Sequence, residues 1–242
     1  PGEWLVPDEA AERGVIYYLH GGGYVLGSIK SHRHMIAELA EAAGLRALMI
    51  DYRLAPEHPF PAAIDDAVTA FNWLLAQGHE PKEIVIGGDS AGGGLTLAAL
   101  LKLRDTDSPL PACALLLSPW TDLTNTVPSR ESRAEDDPTL SVPHAIENAL
   151  AYANGQDLSQ PLISPMNADL SGLPPMVVQV GTMEILLDDS LRLVEKAKAG
   201  GVDVRLDVWE DLVHVWQYYV QKVPEAEEAV DELAAYARSF VG

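Results

Sequence analysis

Short apolar runs alternate with amphipathic stretches along most of this chain. Val15 to Leu19, Ala47 to Ile50, Ile84 to Ile86, Ala112 to Leu117, Met176 to Val180 and Val204 to Trp209 are short, and most are rich in β-branched or aromatic side chains. Runs this short, bounded by turn residues and apolar at nearly every position, predict strands buried on both faces of a sheet. Trp4-Leu5-Val6 predicts a shorter strand ahead of them. The stretches between read as helices. The first runs from Ser31, as N-cap, to Ala43, with Gly44 to close it. Ile64, Val68, Phe71 and Leu75 recur at helical spacing after Pro61, and Gly78 ends that helix. Further helices are expected over 94–101, 186–198 and 225–240. This alternation predicts one parallel sheet in a single α/β domain spanning residues 1–242.

The pattern breaks twice. From Asp51 to Pro61 three prolines exclude a central strand or helix, and the charges predict a packed loop held by ion pairs of Arg53 and Glu57. From Thr121 to Pro161 the chain turns polar, acidic and proline-rich, with one helical stretch over 143–152. An insertion of this kind lies over the C-terminal edge of the sheet. It reads as a lid or pocket wall, or as a plain surface excursion.

The chemistry gathers where strands end. Gly88-Asp89-Ser90-Ala91-Gly92-Gly93 follows the run Ile84 to Ile86 and precedes the helix-like Gly94 to Leu101. Gly-x-Ser-x-Gly occurs by chance in loops. Between a strand and a helix, however, it has the form of a nucleophile elbow, with small residues where strand and helix must approach. The helix N-terminus then directs N–H groups at negative charge forming beside the Ser90 hydroxyl. His20-Gly21-Gly22-Gly23 follows the strand 15–19, and its glycines free the backbone to present oxyanion donors. His20 reads as a hydrogen-bonded anchor for that loop.

A serine nucleophile needs a base, and the base a carboxylate. Of seven histidines only His144 and His214 follow Ser90, and His144 lies in the insertion. His214, just past the strand 204–209, is the candidate base. The acid belongs after the strand 176–180. Glu184 stands there, with Asp188 and Asp189 one helical turn later; Asp188 is either a fallback acid or a support for the site. Asp89 is too near Ser90 in sequence to reach the far side of the imidazole.

Charge narrows the partners. The formal net charge is −20, which argues against nucleic acid or an anionic membrane surface. No stretch is apolar and long enough to span a membrane, and no signal peptide is visible, so a cytoplasmic location is expected. Cys113 is the single cysteine, which excludes an intrachain disulfide.

The motifs His20 to Gly23, Asp51 to Pro61, Gly88 to Gly93 and Asp211 to His214 resemble those of the bacterial hormone-sensitive-lipase-like carboxylesterases. The resemblance implies an α/β-hydrolase fold with a mostly parallel central sheet flanked by helices and a partial cap. It implies hydrolysis of small-molecule carboxylic esters of short or medium acyl chain, without metal or organic cofactor. It carries Ser90 and His214 as nucleophile and base, and Gly22, Gly23 and Ala91 as oxyanion N–H donors. The family's acid commonly appears as Asp-x-Leu-x-Asp; here Glu184-Ile185-Leu186-Leu187-Asp188 places glutamate first. Family members begin with a helical N-terminal cap and a further edge strand, neither of which is legible here, and are often homodimers. Two other readings share the residues: an amidase or peptidase on the same triad, and a non-catalytic small-molecule receptor of the same fold. The retained His214 favours an enzyme.

Overall fold

In the computed structural model, which describes residues 1–241, seven strands form one sheet in the order β1-β3-β2-β4-β5-β6-β7. The strands are β1 (Gly2–Leu5), β2 (Val15–Leu19), β3 (Arg46–Ile50), β4 (Ile84–Asp89), β5 (Cys113–Leu117), β6 (Met176–Gly181) and β7 (Val204–Trp209). Only β1, at the edge, is antiparallel. The apolar runs are strands because the centre of the sheet leaves no face for water: β2, β4, β5 and β6 are buried at every position. Alternate residues serve two cores. Tyr17 and Leu19 pack with Ile64, Phe71 and Leu97 on one face, and Ile16 and Tyr18 with Met35, Leu39 and Leu233 on the other. Each fully buried aliphatic or aromatic side chain of this size contributes about 2 kcal/mol.

The helices follow that division. On the first face lie α2 (Ala62–Ala76), α3 (Ala91–Asp105) and α6 (Leu187–Ala199); on the second lie α1 (Ile29–Ala43) and α7 (Pro224–Val241). The insertion supplies the short α4 (Ser129–Ser132) and α5 (Val142–Ala153). Among the described residues no helix is long and apolar enough to cross a membrane.

Two local expectations are corrected. The cap of α1 is Ser28, not Ser31, because Ser31 is the third residue of a reciprocal box: its N–H donates to Ser28 Oγ while its own Oγ accepts Ser28 N–H. Arg53 pairs with Asp66 at 2.8 Å and not with Glu57. Asp66 lies in the second turn of α2, thirteen residues on, and also accepts the Arg53 N–H at 2.9 Å, so the loop is fastened to the helix it precedes.

Parallel register places five strand ends along one edge. Leu19 lies beside Gly88, Asp89 beside Leu117, Leu117 beside Gln179, and Gly181 beside Trp209. The loops after β2, β4, β5, β6 and β7 therefore emerge as neighbours, and they carry the candidate chemistry.

Candidate active site

Ser90 joins β4 to α3 with φ 52° and ψ −122°, a conformation that costs of order 1–3 kcal/mol for a residue with a side chain. The surroundings hold it there: Ser90 N–H donates to Leu117 O at 2.9 Å, and Ser90 O accepts Trp120 N–H at 2.8 Å. The turn closes only because its small residues permit contact. A Cβ on Gly92 would lie 2.0 Å from Leu19 O. Ala91 is the first residue of α3, so its N–H has no intrahelical acceptor.

The loop after β2 brings Gly22 (φ 125°) and Gly23 (φ 63°) to the same cleft as Ser90. Neither N–H donates to a protein acceptor among the described residues. Asn148 of α5 covers the loop so closely that a Cβ on Gly23 would lie 2.4 Å from its amide nitrogen. His20 anchors the loop from beneath, with Nδ1 2.8 Å from Gly21 O and its ring stacked on Tyr52 at 4.3 Å. Burial pulls its pKa below the ordinary histidine value.

Asp89 ties the elbow to this loop. Its Oδ1 accepts Tyr18 O–H and Gly21 N–H, both at 3.0 Å, and its Oδ2 lies 3.2 Å from His32 Nε2. Burial pushes this carboxyl up, but His32 and the Tyr18 hydrogen bond outweigh it and hold it below its ordinary value. His32 is raised in return: burial lowers it, and the Asp89 charge more than compensates.

Across the cleft, Glu184 is fully buried and Oε2 lies 2.7 Å from His214 Nδ1. Its other oxygen accepts Gly181 N–H and Ser118 O–H, both at 2.7 Å. Ser118 Oγ in turn accepts Val215 N–H at 3.3 Å, so one hydroxyl at the end of β5 braces both the carboxylate and the histidine turn. Burial lowers the His214 pKa, but the Glu184 carboxylate raises it further, and the net displacement is upward. Asp188 takes no part in this contact. Its carboxylate accepts Ser129 N–H at 2.7 Å, at the start of α4.

Ser90, Gly22, Gly23 and His214 line one cleft of about 590 Å³, which Thr139, Leu140, Ser141, His144, Ala145 and Asn148 of the insertion wall on one side. The structure thus gathers Ser90, Glu184, His214, Gly22, Gly23 and Ala91, and sends Asp188 to a neighbouring turn. No hydrogen bond joins Ser90 Oγ to His214 across the cleft, a contact that commonly tightens only when substrate binds. Sequence reasoning missed Ser118 and His32. The one available signal for Ser118 was its place at a strand end beside the elbow.

A family model described as alpha/beta hydrolase fold matches residues 16–218. The chain belongs to the hormone-sensitive-lipase-like esterases of this fold. It is 42% identical over 240 residues to an acetyl-hydrolase of Streptomyces hygroscopicus, covering 99% of this chain and 80% of that protein. An esterase of Acinetobacter venetianus is 38% identical over 234 residues, covering 96% and 77%. Among solved structures, an esterase from the bacterial hormone-sensitive lipase family superposes with a TM-score of 0.99 at 48% identity, over 100% of this chain and 82% of that one. EstE5, soaked by p-nitrophenyl butyrate, superposes with a TM-score of 0.97 at 47% identity, covering 99% and 81%.

Proposed function

We propose that this esterase hydrolyses short- to medium-chain carboxylic esters by two-step acyl transfer on Ser90. The observation that carries the reading is the buried Glu184–His214 pair, 2.7 Å apart, with the imidazole sharing a cleft with a serine on a strained turn. Nδ1 is occupied by Glu184, which leaves Nε2 to act as base.

His214 takes the hydroxyl proton as Ser90 Oγ bonds to the ester carbonyl carbon. The carbonyl oxygen becomes an oxyanion and receives the N–H groups of Gly22, Gly23 and Ala91. Each such donor is worth about 10²–10³ in rate. Collapse breaks the bond to the alkoxy oxygen, and the alcohol leaves with the proton from His214. Water then gives a proton to His214 as it attacks the acyl-Ser90 carbonyl carbon; collapse breaks the bond to Ser90 Oγ, which takes that proton back from His214, and the acid is released. Glu184 remains a carboxylate throughout, fixes the tautomer and stabilises the imidazolium. The insertion acts as a wall of the acyl site, and a cleft of about 590 Å³ suits a small ester.

The test is hydrolysis of p-nitrophenyl esters of graded acyl length, with butyrate first because EstE5 was soaked with it. Wild type should turn over the short esters. Ser90→Ala should lose about five to six orders of magnitude in kcat. A Ser90→Ala protein that stays within a few-fold of wild type overturns the proposal.

A further inference from the structure

The insertion grips the turn that carries Glu184. Ile185, the next residue, is held through both of its backbone polar groups. Its N–H, part of the peptide shared with Glu184, donates to Asp137 Oδ2 at 2.9 Å. Its carbonyl accepts Ser129 O–H at 2.7 Å and also the Arg130 guanidinium. Arg130 is itself buried, paired with Asp189 at 2.9 Å and bonded to Asn125 Oδ1 at 2.9 Å. Ser129 is returned to α6, since its Oγ accepts Asp188 N–H at 3.1 Å.

Asp137 has a second set of contacts. Its other oxygen accepts the N–H groups of Thr139 and Leu140, both at 2.9 Å. Those two residues line the cleft beside Ser90. The side chain is buried, at 8% exposure, and sits in a polar, acidic stretch where a solvated carboxylate would be the ordinary outcome. One buried carboxylate therefore spans two structures: the wall that meets substrate and the peptide that leads from the acid.

We propose that Asp137 is a positioning residue that couples the cleft wall at Thr139–Leu140 to the orientation of Glu184, so that substrate fit and proton transfer are set together. The inference rests on the reading of Glu184 and His214 as acid and base. Its chemistry is specific to a carboxylate. Three N–H donors converge on two oxygens, and asparagine, with one oxygen and an NH2 group, satisfies one side only by setting donor against donor on the other. The charge matters separately, because the carboxylates that raise the proton affinity of buried His214 are Glu184 first, then Asp137 and Asp89.

The experiment compares Asp137→Asn, Leu140→Ala and Glu184→Gln with wild type on p-nitrophenyl acetate and butyrate, each across pH. For Asp137→Asn, kcat should fall about 10- to 100-fold, the scale of a misoriented catalytic group. The acyl-length profile should change, and the acid limb of kcat/KM should move to lower pH. Leu140→Ala should change the acyl profile and leave the acid limb in place. An Asp137→Asn protein with wild-type kcat and acid limb, altered only in acyl profile, overturns the coupling. Should that variant fail to fold, Asp137→Glu keeps the charge. It should hold the acid limb while lowering kcat and changing the acyl profile, and wild-type kcat and profile would refute the inference. Glu184→Gln separates the two levels. If it retains wild-type rate, the triad reading fails; if it is inactive while Asp137→Asn behaves as wild type, only the coupling fails.

Discussion

Two buried carboxylate–histidine pairs flank Ser90, and they are built alike. Asp89 accepts a tyrosine hydroxyl, the N–H of Gly21 and the contact of His32; Glu184 accepts a serine hydroxyl, the N–H of Gly181 and the contact of His214. In both, the charge of the carboxylate lifts the histidine above its ordinary proton affinity against the pull of burial. They differ at the second ring nitrogen. His32 Nδ1 lies 2.9 Å from Ser31 Oγ, within the first turn of α1, so both of its nitrogens are engaged by the protein. His214 Nε2 has no protein hydrogen bond among the described residues and belongs to a ring that lines the cleft. A carboxylate–histidine pair beside a serine is thus not enough to define a base; on the proposed mechanism, the free nitrogen is what separates a strut from a proton carrier.

That contrast can be broken most sharply at the two histidines. His214→Gln should lower kcat by about four orders of magnitude or more, whereas His32→Gln, which retains a polar group at the strut, should stay within about tenfold. Comparable losses in both variants would erase the distinction.

The next effect is on stability. Asp89→Asn leaves His32 without its charge partner and should cost about 3–5 kcal/mol by chemical denaturation, the range for one-sided removal of a buried ion pair. Its pH dependence has a definite sign. Asp89 is depressed below 3.8, so its contribution is present above that value and lost as pH falls through the folded-state value. His32 is raised above 6.5, so its contribution is present below that value and lost as pH rises through the folded-state value. The gap between wild type and Asp89→Asn should therefore be widest between those limits and narrow on either side.

A smaller effect concerns rate. In the proposed mechanism His214 must be neutral to accept the Ser90 proton. Because its proton affinity is raised in the folded enzyme, kcat/KM should fall with decreasing pH about a midpoint above 6.5, the ordinary histidine value. A midpoint below it would contradict the Glu184 contact. The smallest effect belongs to Asp188. Asp188→Asn weakens one hydrogen bond to Ser129 and should cost at most about 1 kcal/mol, with kcat nearly unchanged.

Much of this was legible in the sequence, for physical reasons. A parallel sheet buried on both faces prints its strands as apolar runs, and five of the seven lie within a residue of their expected bounds. The elbow and the glycine loop were legible because close backbone approach tolerates only small residues there. The pairing of Glu184 with His214 was legible because both follow the ends of neighbouring strands. What stayed hidden are polar side chains whose partners lie far along the chain. Ser118 meets Glu184 across 66 residues and Asp137 meets Ile185 across 48. Neither hydrophobic period nor local motif records such a contact. Proximity in sequence misled in one case: Glu57 is four residues from Arg53, but the ion pair forms with Asp66, because the loop folds back onto α2. Sequence placed Glu184 ahead of Asp188 but left Asp188 as a fallback, since only one helical turn divides them. The fold divides them instead by direction, one carboxylate toward His214 and the other toward Ser129.

The most direct test of the working pair is the turnover of Glu184→Gln on p-nitrophenyl butyrate, with Asp188→Asn measured beside it. The expected result is a loss of about 10⁴ in kcat for Glu184→Gln, as when a triad carboxylate is made neutral in place, and near-wild-type turnover for Asp188→Asn. A nearly active Glu184→Gln, or a collapse confined to Asp188→Asn, would contradict the assignment of Glu184 as the group that orients His214.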